Sequence, residues 1–105
     1  MIDIAESKNR VPIRLTEERW YHIVEHHEDL AGHAREILDT VENPDFIVRG
    51  WTDEYIAVRE VQKGRHLVVA YKEISKDDGF IITAYFTKRL ARLQRREVVW
   101  RKHPR

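Results

Sequence analysis

Apolar residues recur at helical spacing between positions 17 and 42 of this chain, and after residue 44 the period changes to alternation. Trp20, Ile23, Val24 and His27 share one helical face, which predicts an amphipathic helix over residues 17–27. Thr16 suits its N-cap, since Glu17 and Glu18 then fall in the first turn and favour the helix dipole. A short break near Glu28-Asp29 leads to a second helix over residues 30–42, with Leu30, Ala34, Ile37, Leu38 and Val41 inward. Asn43-Pro44-Asp45 ends it, because a proline disfavours helical backbone at the residue before it.

Alternation then predicts four strands, Asp45–Arg49, Tyr55–Val61, His66–Ile74 and Phe80–Thr87. Gly50 closes the first. Lys63-Gly64 and Lys76-Asp77-Asp78-Gly79 supply turns short enough to make the neighbours antiparallel. Beyond Thr87 a basic helix over Lys88–Arg95, or a loop, precedes Val98-Val99-Trp100, a candidate edge strand. Residues 1–10 read as a loose lead-in, and Val11–Leu15 as a short extended segment with Pro12 at its edge. The expected architecture is α+β in one domain spanning residues 1–105. Two N-terminal helices pack on one face of a four-stranded antiparallel sheet, five-stranded if Val98–Trp100 joins its edge.

On the fourth strand Phe80, Ile82, Ala84 and Phe86 alternate with Ile81, Thr83, Tyr85 and Thr87. The first set suits a core closed by Trp20 and Ile23 of the first helix, and Leu67, Val69 and Tyr71 suit the same side of the third strand. The outer face is then expected to collect Arg59, Lys72, Thr83, Tyr85 and Thr87. Antiparallel sheets often leave one face wet, so solvent exposure explains that collection about as well as a site does.

With 42% hydrophobic and 35% charged residues among 105, the chain has the make-up of one folded globular domain. The lack of cysteine excludes disulfides, a thiolate metal site and a cysteine nucleophile. Apolar runs such as Leu67–Tyr71 are too short to cross a bilayer, and residues 1–10 lack the apolar centre of a signal peptide. The expected location is therefore the cytoplasm, with no membrane partner. The net charge of +1 hides an asymmetry. Residues 1–58 carry 6 Lys/Arg against 13 Asp/Glu, and residues 59–105 carry 13 against 5. Residues 88–105 alone hold 8 basic side chains and one acid, Glu97. Such a segment attracts phosphates and releases counterions on binding a polyanion. Lys88, Arg89, Arg92, Arg95 and Arg96, with Tyr85 and Thr87 just before them, are the candidate nucleic-acid-binding residues, and a solvated basic tail is the plain alternative.

Six histidines are present, four of them close together as His22, His26, His27 and His33. His22 and His26 are four apart, on one side of a helix, as two zinc ligands would be, but HExxH is absent and no metal or other cofactor is expected. Scattered single glycines make no phosphate loop, and no serine nucleophile elbow is present. The chemistry that remains is metal-free RNA cleavage. It needs a base for the 2′-hydroxyl proton, an acid for the leaving 5′-oxygen, and cations for the phosphate. Histidine titrates near neutrality and fills either proton-transfer role, while Arg, Lys, Thr and Tyr hold and position phosphate.

Leu15-Thr16-Glu17-Glu18-Arg19-Trp20-Tyr21-His22-Ile23, followed by His27-Glu28, resembles the first helix of small prokaryotic and phage proteins with an ERW-HI---HPE pattern. Leu67–Tyr71 and Phe80–Thr87 resemble their closing hairpin. These proteins are grouped with the barnase–EndoU–colicin–RelE-like ribonuclease folds, near BrnT-type toxins and related domains. The resemblance runs over residues 13–100 in element order, and His27-Glu28 departs from the His-Pro-Glu of the pattern. It implies His22 and His27 as helix-borne polar residues near a cleft, Thr83 as the hydroxyl, and Arg59 or Lys72 as the cation. It further implies an RNA-cleaving domain, of the kind that serves as the toxin of a two-gene pair with an acidic antitoxin-like partner. A non-catalytic nucleic-acid-binding or protein-interaction domain on the same scaffold stays open, since fold alone does not fix chemistry.

Overall fold

Residues 2–103 are described by a computed structural model; Met1, Pro104 and Arg105, at the ends of the lead-in and the basic segment, lie outside the described residues. The chain begins with two short strands, β1 (Asp3–Glu6) and β2 (Pro12–Leu15), and continues into helix α1 (Glu17–His26). The hydroxyl of Thr16 accepts from the backbone N–H of Arg19 at 3.1 Å, a cap of the kind that contributes about 1 kcal/mol. A 3₁₀ turn over Glu28–Leu30 precedes helix α2 (Ala34–Glu42). The second helix starts four residues later than its apolar spacing suggests. Gly32 intervenes with φ of +84°, a left-handed conformation that interrupts the helical backbone.

Five strands and a short helix complete the chain: β3 (Phe46–Arg49), β4 (Tyr55–Gln62), β5 (Arg65–Ser75), β6 (Asp78–Thr87), α3 (Ala91–Gln94) and β7 (Val98–Arg101). They form one mixed sheet with the order β1-β2-β6-β5-β4-β3-β7. This corrects the expected two-helix, four- or five-stranded antiparallel arrangement. The sheet has seven strands and three α-helices accompany it, one of them in the second half of the chain. The error lies mainly in residues 1–15. Asp3-Ile4-Ala5-Glu6 is too short and too polar to read as a strand, yet Ala5 is buried against Ile13 of its partner. β2 then lies parallel to β6, through Ile13 with Gly79 and Arg14 with Phe80. Local pattern carries no information about so distant a pairing.

Strands β3, β4 and β5 separate two apolar layers. Ile47, Ala57, Val69 and Ala84 meet Ile23, Leu30, Ile37, Leu38 and Val41 on the side of α1 and α2. Phe46, Val48, Ile56, Val58 and Val68 form a smaller layer on the opposite side, closed by Leu93 of α3. Both faces of the sheet's centre are therefore covered, which is why β3 to β5 read as nearly continuous apolar runs.

The face assignment needs two corrections. Arg59 shares its side of β4 with Tyr55 and Ala57, and it pairs with Leu67, so it belongs to the α1/α2 side rather than the outer one. On β6, Ala84 and Phe86 do face the helices, but the register shifts where Ala70 pairs with Thr83 and Tyr71 with Ile81. The extra residue reverses the alternation, so Ile81 is buried in the main core and Phe80 pairs with Lys72 on the other side.

Candidate functional site

The side of the sheet bearing α3 is only partly roofed. α3 covers β3, β4 and β5 through Leu93, with Leu90 packed beside it, and from β6 only Tyr85 packs against this layer. There Thr83, Tyr85 and Thr87 project at period two, opposite Ala70, Val68 and His66 of β5. Lys72 stands further along the same side of β5, opposite Phe80. Because β2 pairs with β6 only at Gly79 and Phe80, the remainder of the β6 edge is flanked by α1 and the 3₁₀ turn. His27, the C-terminal cap of α1, thereby reaches this side, its ring 6.0 Å from that of Tyr85 and tilted by 32°.

Tyr85 is half-buried. That burial pushes its phenol above the usual tyrosine value, and the nearby charge of Arg92 on α3 opposes the rise. The phenol is thus a proton donor at neutral pH, with a guanidinium close by. Thr87 is tied locally, its hydroxyl accepting from the backbone N–H of Arg89 at 3.0 Å. Lys88, Arg89, Arg92 and Arg95 are exposed on this segment. Lys72 is held by Asp53 of the β3–β4 loop at 3.1 Å.

Other candidates lie elsewhere. Arg59 borders a hollow of about 200 Å³ on the helix side, together with Glu36, Asp39 and Thr40 of α2. It does not meet Lys72 and Thr83 across one surface. His22 is exposed on α1, where its ring lies 4.6 Å from that of His26, and His26 Nδ1 is 2.9 Å from the His22 carbonyl oxygen. Among the described residues no three His, Asp or Glu side chains are grouped to hold a metal ion, and no helix is long and apolar enough to cross a membrane.

Arg96 has a separate position. Its Nε donates to the carbonyl oxygen of Arg49 at 2.6 Å, and its guanidinium stacks 3.9 Å from the ring of Trp51. Trp51 is 64% exposed, and alternation did not single it out. A large aromatic in the turn sequence Gly50-Trp51-Thr52-Asp53, with no periodic apolar partner, was the available signal. No family model, curated protein or solved structure matches the chain.

Proposed function

We propose that this chain binds RNA on the α3 side of its sheet. The observation that carries the reading is the gathering of Thr83, Tyr85 and Lys72 on one side of the sheet beside the exposed cations in and around α3. The helices on the other side carry most of the acids of residues 17–42, so a polyanion is favoured from one direction only. The phenol of Tyr85 and the hydroxyl of Thr83 donate to phosphate oxygens, and Arg92 supplies the charge.

A second reading is metal-independent cleavage at the same place, favoured by the position of the His27 ring beside Tyr85. In that reaction His27 removes the proton of a ribose 2′-hydroxyl. The 2′-oxygen forms a bond to phosphorus, the bond to the 5′-oxygen breaks, and a second proton donor protonates the leaving group. The products are a 2′,3′-cyclic phosphate and a 5′-hydroxyl. The resemblance to the barnase–EndoU–colicin–RelE-like group supports this version, and an acidic antitoxin-like protein would then cover the basic side.

Both readings are tested with one labelled single-stranded RNA and the intact protein in a metal chelator. Fluorescence anisotropy at rising salt reports binding, and a denaturing gel of the same mixture reports cleavage. Binding that weakens steeply with salt supports the interface. If neither RNA nor DNA binds even at low salt, the proposal fails. RNA that binds and stays intact removes the cleavage reading alone.

A further inference from the structure

The β3–β4 loop holds Trp51 in the open by several independent restraints. Glu54 accepts from the backbone N–H of Trp51 at 3.3 Å and of Thr52 at 3.0 Å, and from the Thr52 hydroxyl at 2.8 Å. Those bonds, the Thr52 hydroxyl first, lower the Glu54 carboxyl to a pKa of about 2. The Glu54 side chain also fills the space beside Gly50, where a Cβ would stand 2.2 Å from Cδ of Glu54. From the other side Arg96 bonds the carbonyl oxygens of Arg49 and Gly50 while lying over the indole.

A loop tied this firmly around an exposed indole is unlike an ordinary turn, which keeps large apolar side chains away from water. The stacked guanidinium adds a fixed positive charge to an aromatic plane. Asp53 in the same loop anchors Lys72, so the loop adjoins the side of the sheet that carries Thr83 and Tyr85. We infer that Trp51, backed by Arg96, is a stacking platform for an unpaired nucleobase. The ligand class is single-stranded RNA, whose bases are available to an aromatic plane as those of a duplex are not.

This inference rests on the RNA-binding reading and specifies its substrate. The platform takes one base while Arg92 of α3 and the cations flanking that helix hold the adjoining phosphates. Charge complementarity between that basic segment and a polyanion supplies the phosphate contacts, and the exposed indole plane is a surface for a nucleobase rather than for an acidic side chain.

The test compares a labelled oligouridylate with a blunt RNA duplex of equal length, for the wild-type protein, Trp51→Ala and Trp51→Phe. Wild type is expected to prefer the single strand. Trp51→Ala should weaken single-strand binding about 5- to 150-fold, the range that one stacked base supplies, with the salt slope unchanged. Trp51→Phe keeps a ring and should retain much of the affinity, which separates loss of stacking from loss of folding. Tryptophan emission should be quenched by the oligouridylate in wild type and much less in Trp51→Phe. Undiminished binding by Trp51→Ala, or quenching that survives in Trp51→Phe, overturns the platform while the RNA-binding reading stands. Absence of any RNA or DNA binding by wild type overturns both.

Discussion

The ring of His27 lies 6.0 Å from that of Tyr85, although 58 positions separate the two residues in the chain. The contact exists because α1 replaces a strand along the outer edge of β6, so the end of the helix meets side chains of the far side of the sheet. Under the cleavage reading, His27→Ala lowers chelator-resistant RNA cleavage about a hundredfold or more, the usual effect of removing a positioned acid–base group. His22→Ala, on the exposed part of α1, has a mild effect. Circular dichroism of the His27 variant is the control, because the residue is half-buried. Equal rates for wild type and His27→Ala would remove this histidine from the chemistry.

Tyr85 and Arg92 give a pH prediction with a definite sign. Burial raises the phenol's pKa and the guanidinium lowers it, so Arg92→Gln moves the ionisation of Tyr85 to still higher pH. Because the folded value lies above that of the free phenol, this group's contribution to stability is complete below pH 10 and is lost as pH rises through the folded value. Absorbance titration of tyrosinate in wild type, Arg92→Gln and Tyr85→Phe reads it directly. A downward movement in Arg92→Gln would mean that the two side chains do not interact as described.

Arg92 of α3 and Arg95 at its C-terminal cap predict a salt dependence. Replacing Arg92 and Arg95 with glutamine removes two phosphate contacts and flattens the logarithmic salt slope for single-stranded RNA by about 1.4. Arg96 is left out of that pair because its guanidinium is committed to backbone carbonyls and to Trp51. A slope unchanged by the double substitution would assign the phosphate contacts to other residues.

The Glu54 clasp responds to acid. The hydrogen bonds from Thr52 and Trp51 hold its carboxyl at about 2, below the ordinary glutamate value of 4.5. Stability from this group is therefore present above pH 4.5 and declines as pH falls through about 2. Glu54→Gln removes the charge and keeps only one acceptor oxygen, so the loop around Trp51 loosens already at neutral pH. Acrylamide quenching of tryptophan emission, compared between the two proteins at pH 7, is the measurement, and greater accessibility in the variant is the expected result.

Gly79 supplies a prediction about the fold. A Cβ there would lie 2.6 Å from the backbone oxygen of Lys72 and 2.5 Å from Cδ1 of Ile13, so the β5 backbone would have to shift and the Ile13 side chain to repack. Gly79→Ala is expected to cost about 1–3 kcal/mol, as overpacking of a tight core site does. The thermal midpoint should fall by roughly 5 °C or more. An unchanged midpoint would mean that β2 moves aside without penalty.

The legible parts of this chain were those governed by near neighbours. Thr16 marked the start of α1, Lys63-Gly64 marked a two-residue turn with Gly64 at φ +76°, and Val98-Val99-Trp100 marked an edge strand. What escaped depends on partners far away in sequence. Gly79 reads locally as a turn residue, yet it sits inside β6 because Ile13 needs its space. Arg59 reads as an outward cation because the side of β4 facing the helices is set by the register with Leu67. Of the proposed site, Tyr85, Thr87 and the basic segment followed from alternation and charge. Neither the approach of His27 nor the clasp of Arg96 on Trp51 has a local signature.

The parallel pairing of β2 with β6 also sets an order of events during synthesis. The ion pair of Arg14 with Asp78 spans 64 residues, as does the hydrogen bond from Asn9 to Glu73, so the opening hairpin must wait for β6 before it can dock. Closing so large a loop is entropically slow, and a nascent chain ending before Gly79 leaves Ile13 and Leu15 without their final neighbours. Strands β1 and β2 are thus expected to be among the last to join the sheet.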